Sequence, residues 1–181
     1  YSEIENFSNI IINKKNNNNI IFLGIGKSYN ICLHFSDILK CINIPSIVME
    51  TSKMLHGDIG LLKKNDIIIL ISNSGNTKEL IEILKIINDL KNCKIILLSS
   101  KKNGKLIELS NHFFYIPVNC ESNIGFNLIP TNSVLNYIQY SNIILETIIT
   151  KLNLTKQIYI ENHHSGNIGS LYKKISEYLI T

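Results

Sequence analysis

Five short apolar runs constrain this chain more than any other feature: Ile20–Leu23, Ser46–Met49, Ile67–Ile71, Lys94–Leu98 and Phe113–Val118, none of them alternating with polar residues. A strand with one wet face alternates; a strand covered on both faces does not. Helical spacing follows the first run, in Ile31, Cys32, Phe35, Ile38 and Leu39, and a helix is expected from about Asn76 to Leu90 after the third. Strand, turn and helix repeat in that order. The pattern predicts an α/β fold, a three-layer αβα sandwich around a doubly wound, five-stranded parallel sheet. The longest helical stretch, Thr131–Leu152, follows Pro130, with Thr131 or Asn132 placed to cap it. At 181 residues the chain fits one domain, with a helical segment over 1–15, a sheet core over about 20–152 and a C-terminal segment and helix over 160–181.

The composition narrows the function. With 45% hydrophobic and 18% charged residues the chain is not disordered, and its apolar runs are far short of the ~20 residues of a membrane span. Ala, Arg and Trp are absent while Ile and Asn abound, the mark of an AT-rich genome such as that of an endosymbiont, a parasite or a large virus. All 18 basic residues other than His are Lys, scattered and without interleaved aromatics, so nucleic acid is not an expected partner. Cys32, Cys41, Cys93 and Cys120 form no C-x-x-C pair and read as small buried groups of a reduced protein. No secretory leader is expected at the start, and a cytoplasmic setting follows.

In such sheets ligands bind outside the carboxyl ends of the strands. Two turns there carry the chemistry. Gly24-Ile25-Gly26-Lys27-Ser28 has Tyr29 where a dinucleotide fingerprint needs Gly and Ile21 where a Walker loop needs it, so both fail. What remains is a tight turn bearing a Lys. Ser72-Asn73-Ser74-Gly75-Asn76-Thr77 offers three hydroxyls, a Gly and the free N–H groups of a helix start, a cradle for a phosphate monoester in preference to a plain N-cap. Ser28 and Thr131 read as caps, and Tyr29, Tyr137 and Tyr140 as packing. His163 and His164 are adjacent and point apart, with no third ligand suitably spaced, so no metal site is expected.

These motifs resemble a sugar isomerase (SIS) domain, and within that superfamily the arabinose-5-phosphate isomerases. The likeness runs from about Ile20 to Leu171 and takes in Gly24–Ser28, His56-Gly57-Asp58-Ile59-Gly60, Ser72–Gly75 with Glu79, Glu121, Pro130-Thr131 and His163–Gly169; the His-Gly-Asp element discriminates within the superfamily. The paired CBS modules that many relatives carry are not in this sequence. By resemblance Lys27, Glu79, Glu121 and His163 match catalytic positions, His56 matches a further substrate-site His, and Gly26, Ser28, Ser72, Asn73, Ser74, Gly75, Thr77 and Thr131 match phosphate or substrate contacts. The implied reaction interconverts arabinose 5-phosphate and ribulose 5-phosphate through an enediol. Glu79 or Glu121 would be the base, Lys27 would neutralise the enediolate, and His56 or His163 would open the ring. No cofactor is implied. A homotetramer is, with His56 or His163 reaching a neighbour's pocket and with Ile4–Ile12 and Thr131–Leu152 as interface segments; in bacteria the product feeds Kdo synthesis. A heptose or hexulose phosphate isomerase and a non-catalytic sugar-phosphate sensor would share the loop. Two departures stand out: His163-His164-Ser165-Gly166 replaces His-Pro-Gly-Gly, and Glu50 stands where some relatives carry a zinc-associated His.

Overall fold

The computed structural model describes residues 2–122 and 126–170. Five strands, β1 (Ile20–Gly24), β2 (Ser46–Val48), β3 (Ile67–Ile71), β4 (Lys94–Ser99) and β5 (His112–Tyr115), form one sheet of order β2-β1-β3-β4-β5, every pair parallel. The helices are α1 (Ser2–Ile12), α2 (Lys27–Lys40), α3 (Thr51–Met54), α4 (Lys78–Leu90), α5 (Lys105–Glu108), α6 (Asn132–Lys151) and α7 (Lys156–Glu161), with a 3-10 turn at Asp58–Leu61.

The missing alternation now has its cause. Along β1, Ile20 and Phe22 face a core built with α1, α2 and α6, while Ile21 and Leu23 face a second core built with α3, α4 and α5. β3 divides the same way, with Ile67, Ile69 and Ile71 on one side and Ile68 and Leu70 on the other. Each buried Ile or Leu contributes roughly 1.5–3 kcal/mol of transfer free energy, so both layers are strongly held to the sheet.

Several boundaries and surfaces differ from expectation. β5 stops at Tyr115 rather than running to Val118, since Pro117 has no N–H to donate; the Ile116 N–H makes the last ladder bond, 2.9 Å from the Ser99 carbonyl. The helix expected from about Asn76 begins at Lys78. The apolar stripe of α1 packs inward: Phe7 and Ile11 are buried, and the Phe7 ring meets those of Phe35 and Phe114. α6 does keep apolar side chains exposed, Leu135 at 62% and Ile143 at 41%. Of the cysteines expected to be buried, only Cys32 and Cys93 are; Cys41 is half-buried and Cys120 exposed. The C-terminal helix expected to run to 181 lies outside the described residues beyond 170. No helix among the described residues is long and apolar enough to cross a membrane.

Candidate active site

The strand order reverses between β1 and β3, and their register pairs Gly24 with Ile71. The two turns singled out in the sequence therefore lie side by side at the carboxyl edge, where a doubly wound sheet opens a crevice.

Gly24 is required by close approach. A Cβ there would sit 2.9 Å from the Ser28 carbonyl carbon and oxygen and 3.0 Å from the Cys32 sulfur, so the first turn of α2 could not pass over the end of β1. Gly26 precedes α2 at φ +60°, in the left-handed region. Ser28, expected as a cap, lies inside the first turn, and no side chain caps α2.

In the second turn Ser72 is buried, and its N–H continues the ladder to the Leu98 carbonyl at 3.1 Å. Its hydroxyl pairs with that of Thr77 at 2.9 Å, and the Asn76 N–H donates to the Ser74 hydroxyl at 3.2 Å. Gly75 turns the chain at φ +66° and packs against Gly104, where a Cβ would fall 2.6 Å from the Gly75 carbonyl oxygen. Ser100 donates to the Asn73 carbonyl at 2.9 Å. Thr77 occupies the N-cap of α4 yet makes no side-chain bond to the first turn. The α4 start thus keeps donors and the positive end of its dipole facing the loop hydroxyls.

Two cavities flank these turns. One, of about 500 Å³, is walled by Gly26, Tyr29, Glu50, Thr51 and Glu79. The other, of about 200 Å³, is walled by Lys27, Ser28, Asn73, Ser133 and Tyr137. Lys27 and Glu79 are both brought to this edge, Lys27 on the smaller cavity and Glu79 on the larger, and Ile25 lines both. Glu50 is paired with Lys53 at 2.7 Å and accepts from Ser52 at 2.8 Å; these hydrogen bonds and the Lys53 charge hold its carboxyl below the ordinary value.

Glu121 is held at the start of a helix. Its Oε2 accepts from the Thr131 N–H at 2.7 Å, the Ser133 N–H at 3.1 Å and the Thr131 hydroxyl at 3.2 Å. Thr131 is the N-cap residue of α6 but makes no capping bond of its own; Glu121 serves instead. Burial pulls the Glu121 carboxyl upward, but hydrogen bonds from Ser133 and Thr131 outweigh it and bring it down to about 2.

The two histidines stand elsewhere. His56 is exposed in the turn after α3, its N–H donating to the Lys53 carbonyl at 2.9 Å, and it lines neither cavity. His163 stacks on Tyr159 with ring centroids 3.9 Å apart. Its Nδ1–H donates to the Tyr159 carbonyl at 2.7 Å, and its Nε2 faces the Cys41 sulfur at 4.0 Å. Cys41 ends α2, whereas Lys27 begins it. Fourteen residues separate the two ends, roughly 20 Å of helix, so His163 and Lys27 do not meet within one chain.

Tyr137 and Tyr29, read as packing, belong to the site's walls. The Tyr137 phenol donates to Asn73 Oδ1 at 3.5 Å, and burial raises its ionisation well above the ordinary value. Ser133 and Tyr137 are four apart on α6, a spacing that puts them on one face, and both line the same cavity as Lys27. Among the described residues no three His, Cys, Asp or Glu side chains come together as a metal site.

Residues 11–140 match the sequence profile of the SIS domain. An uncharacterised protein of Rickettsia prowazekii is 31% identical over 156 residues, covering 86% of this chain and 48% of its own length. The arabinose 5-phosphate isomerase KdsD of Francisella tularensis is 27% identical over 160 residues, covering 88% of this chain and 48% of its own length. The chain thus spans about half the length of these curated relatives. Among solved structures, an Escherichia coli protein in complex with arabinose 5-phosphate superposes with a TM-score of 0.80 at 24% identity, over 87% of this chain and 82% of the other.

Proposed function

The chain belongs to the SIS domain family, and from that membership we propose that it is a sugar-phosphate aldose–ketose isomerase interconverting arabinose 5-phosphate and ribulose 5-phosphate. The observation that carries the reading is the uncapped start of α4 beside the hydroxyls of Ser72, Ser74 and Thr77, with Lys27 and Glu79 on the cavities to either side. A relative named for this activity and a fold neighbour solved with arabinose 5-phosphate support the choice of sugar.

The α4 donors and the loop hydroxyls hold the phosphate dianion, and the Lys27 ammonium adds charge at the same edge. With the ring open, a carboxylate removes the proton from C2 and returns it to C1, while the hydroxyl proton passes from O2 to O1. The sugar is oxidised at C2 and reduced at C1, so the electrons balance within it and no redox cofactor enters. Lys27 lowers the energy of the enediolate between the two transfers. Glu79, on the cavity wall, and Glu121, ionised at neutral pH, are the two candidate bases. His163 reaches a phosphate site only from a second subunit, and the exposed apolar side of α6 is where we place that contact.

The purified protein is mixed with arabinose 5-phosphate and formation of ribulose 5-phosphate followed, with and without chelator. Chelator-resistant turnover that falls in Lys27→Met supports the reading. Saturable thermal stabilisation by arabinose 5-phosphate without turnover replaces it with a sensor, and turnover of only heptose or hexulose phosphates corrects the sugar.

A further inference from the structure

The sheet's other edge, where the strands begin, holds a cavity of about 660 Å³ bounded by α1, the loop after it and the starts of β3, β4 and β5. Amides line it. Asn6, Asn9 and Asn13 recur at i, i+3 and i+7 along α1 and just past its end, on the side away from buried Phe7 and Ile11. Asn65, Asn92 and Asn111 each stand one or two residues ahead of a strand and close the opposite wall.

The charge in this cavity is of one sign. Lys14, Lys15, Lys94 and His112 line it, and among the described residues no Asp or Glu does. Lys14 is fixed there by its Nζ, which donates to the Asn18 carbonyl at 2.8 Å. The neighbouring carboxylate of Asp66 belongs to the fold. It is fully buried and accepts from the Asn19 N–H at 2.8 Å, the Lys63 N–H at 2.9 Å and the Asn19 side chain at 3.2 Å. Burial, with the Lys94 charge adding to it, holds His112 below the ordinary histidine value.

We infer that this cavity is a second binding site, for a phosphorylated small molecule whose remaining polar groups are uncharged hydroxyls or base edges. Lysines supply point charges for phosphate. An Asn amide both donates and accepts; Asn111 gives its Oδ1 to the Ile95 N–H at 2.6 Å, and the remaining amides match a ligand presenting both kinds of group, with little preference for a bare anion. The volume lies within the roughly 300–1,000 Å³ of small-molecule sites. Five residues of β3, roughly 16 Å, separate this cavity from the Ser72–Thr77 loop, so one small ligand cannot occupy both. The inference does not depend on the isomerase reading.

The test titrates ATP, and separately inorganic pyrophosphate, into the full chain followed by residue-resolved amide NMR. Saturable shifts of the Asn6, Asn9 and Asn92 side-chain amides, reached at lower ATP than pyrophosphate, are expected. Lys15→Glu/Lys94→Glu should weaken ATP at least about tenfold at these amides while leaving Tm and the Ser74 and Gly75 signals unchanged. The proposal is overturned by the absence of saturable shifts at millimolar ATP, by equal affinity for pyrophosphate, or by an unchanged affinity in the double variant with an intact Tm.

Discussion

Helices α4 and α6 both start at the carboxyl edge of the sheet, and they start differently. At α6 a carboxylate is supplied from within: Glu121 Oε2 takes the N–H groups of Thr131 and Ser133. At α4 the residue in the same position, Thr77, turns its hydroxyl to Ser72 and leaves the first turn without a side-chain cap. Each helix start carries roughly half a positive charge. At α6 a side chain accepts the first N–H groups; at α4 none does, Glu79 adding only a negative charge to the first turn, so of the two starts it is the α4 N–H groups that are open to the phosphate we propose.

The widest separation should come from removing each carboxylate. If catalysis rests on a positioned base, replacing it lowers kcat by about 10²-fold or more. If Glu79 is that base, Glu79→Gln should show the loss with only a small change in Tm, since it removes a first-turn charge and no hydrogen bond to the helix N–H groups. Glu121→Gln weakens a helix cap, worth about 1 kcal/mol, so it should lower Tm by several degrees whatever it does to kcat. Kinetics and melting of both variants check this, and equal destabilisation by the two would break the distinction between the helices.

Next in size is the backing of the open cradle. Gly104→Ala puts a Cβ 2.6 Å from the Gly75 carbonyl oxygen, backbone against methyl, and Gly75 must move. The expected cost is about 1–3 kcal/mol in stability, with a raised KM for the sugar phosphate. A melt and a KM measurement decide it. A Gly104→Ala protein with wild-type KM would show that the loop's shape does not govern phosphate binding.

A smaller effect isolates the closed helix. The folded Glu121 carboxyl lies at about 2 against an unfolded value of 4.5, so its ionised form stabilises the fold. That contribution is complete above about pH 4.5 and fades as pH falls toward 2. The Tm difference between wild type and Glu121→Gln should therefore be constant at neutral pH and shrink through that window. A difference independent of pH would mean that charge plays no part in the cap.

The sheet was legible because burial on both faces writes itself as unbroken apolar runs, and Ile67–Ile71 is found at the expected bounds. The Ser72–Thr77 segment was legible as a strand-to-helix turn, since hydroxyls and Gly mark such a junction, and it lies between β3 and α4. Two things were not. Glu121 caps a helix that begins eleven residues later, and nothing local in the sequence reveals that its carboxylate meets the Thr131 and Ser133 N–H groups. His163 stands near Tyr159 and Cys41, at the far end of α2 from Lys27, because α6 and α7 carry the chain to the other end of the sheet. Motif matching gathers residues by type, whereas the path of the chain decides which of them can meet.

Tyr137 rises from α6 to meet the loop that precedes α4, and its substitution should have the smallest effect. Tyr137→Phe keeps the buried ring, 3% exposed, and deletes only the hydroxyl. At 3.5 Å its bond to Asn73 Oδ1 is at the long limit, and a neutral hydrogen bond contributes about 1 kcal/mol at best. Asn73 is exposed, so water replaces the lost donor and no buried acceptor is orphaned. Tm should stay within about a degree of wild type while KM for the sugar phosphate rises a few-fold, since Asn73 loses its tether but keeps the Ser100 bond to its carbonyl. An unchanged KM would return Tyr137 to pure packing, and a KM raised a hundredfold would mean that the phenol itself touches the sugar.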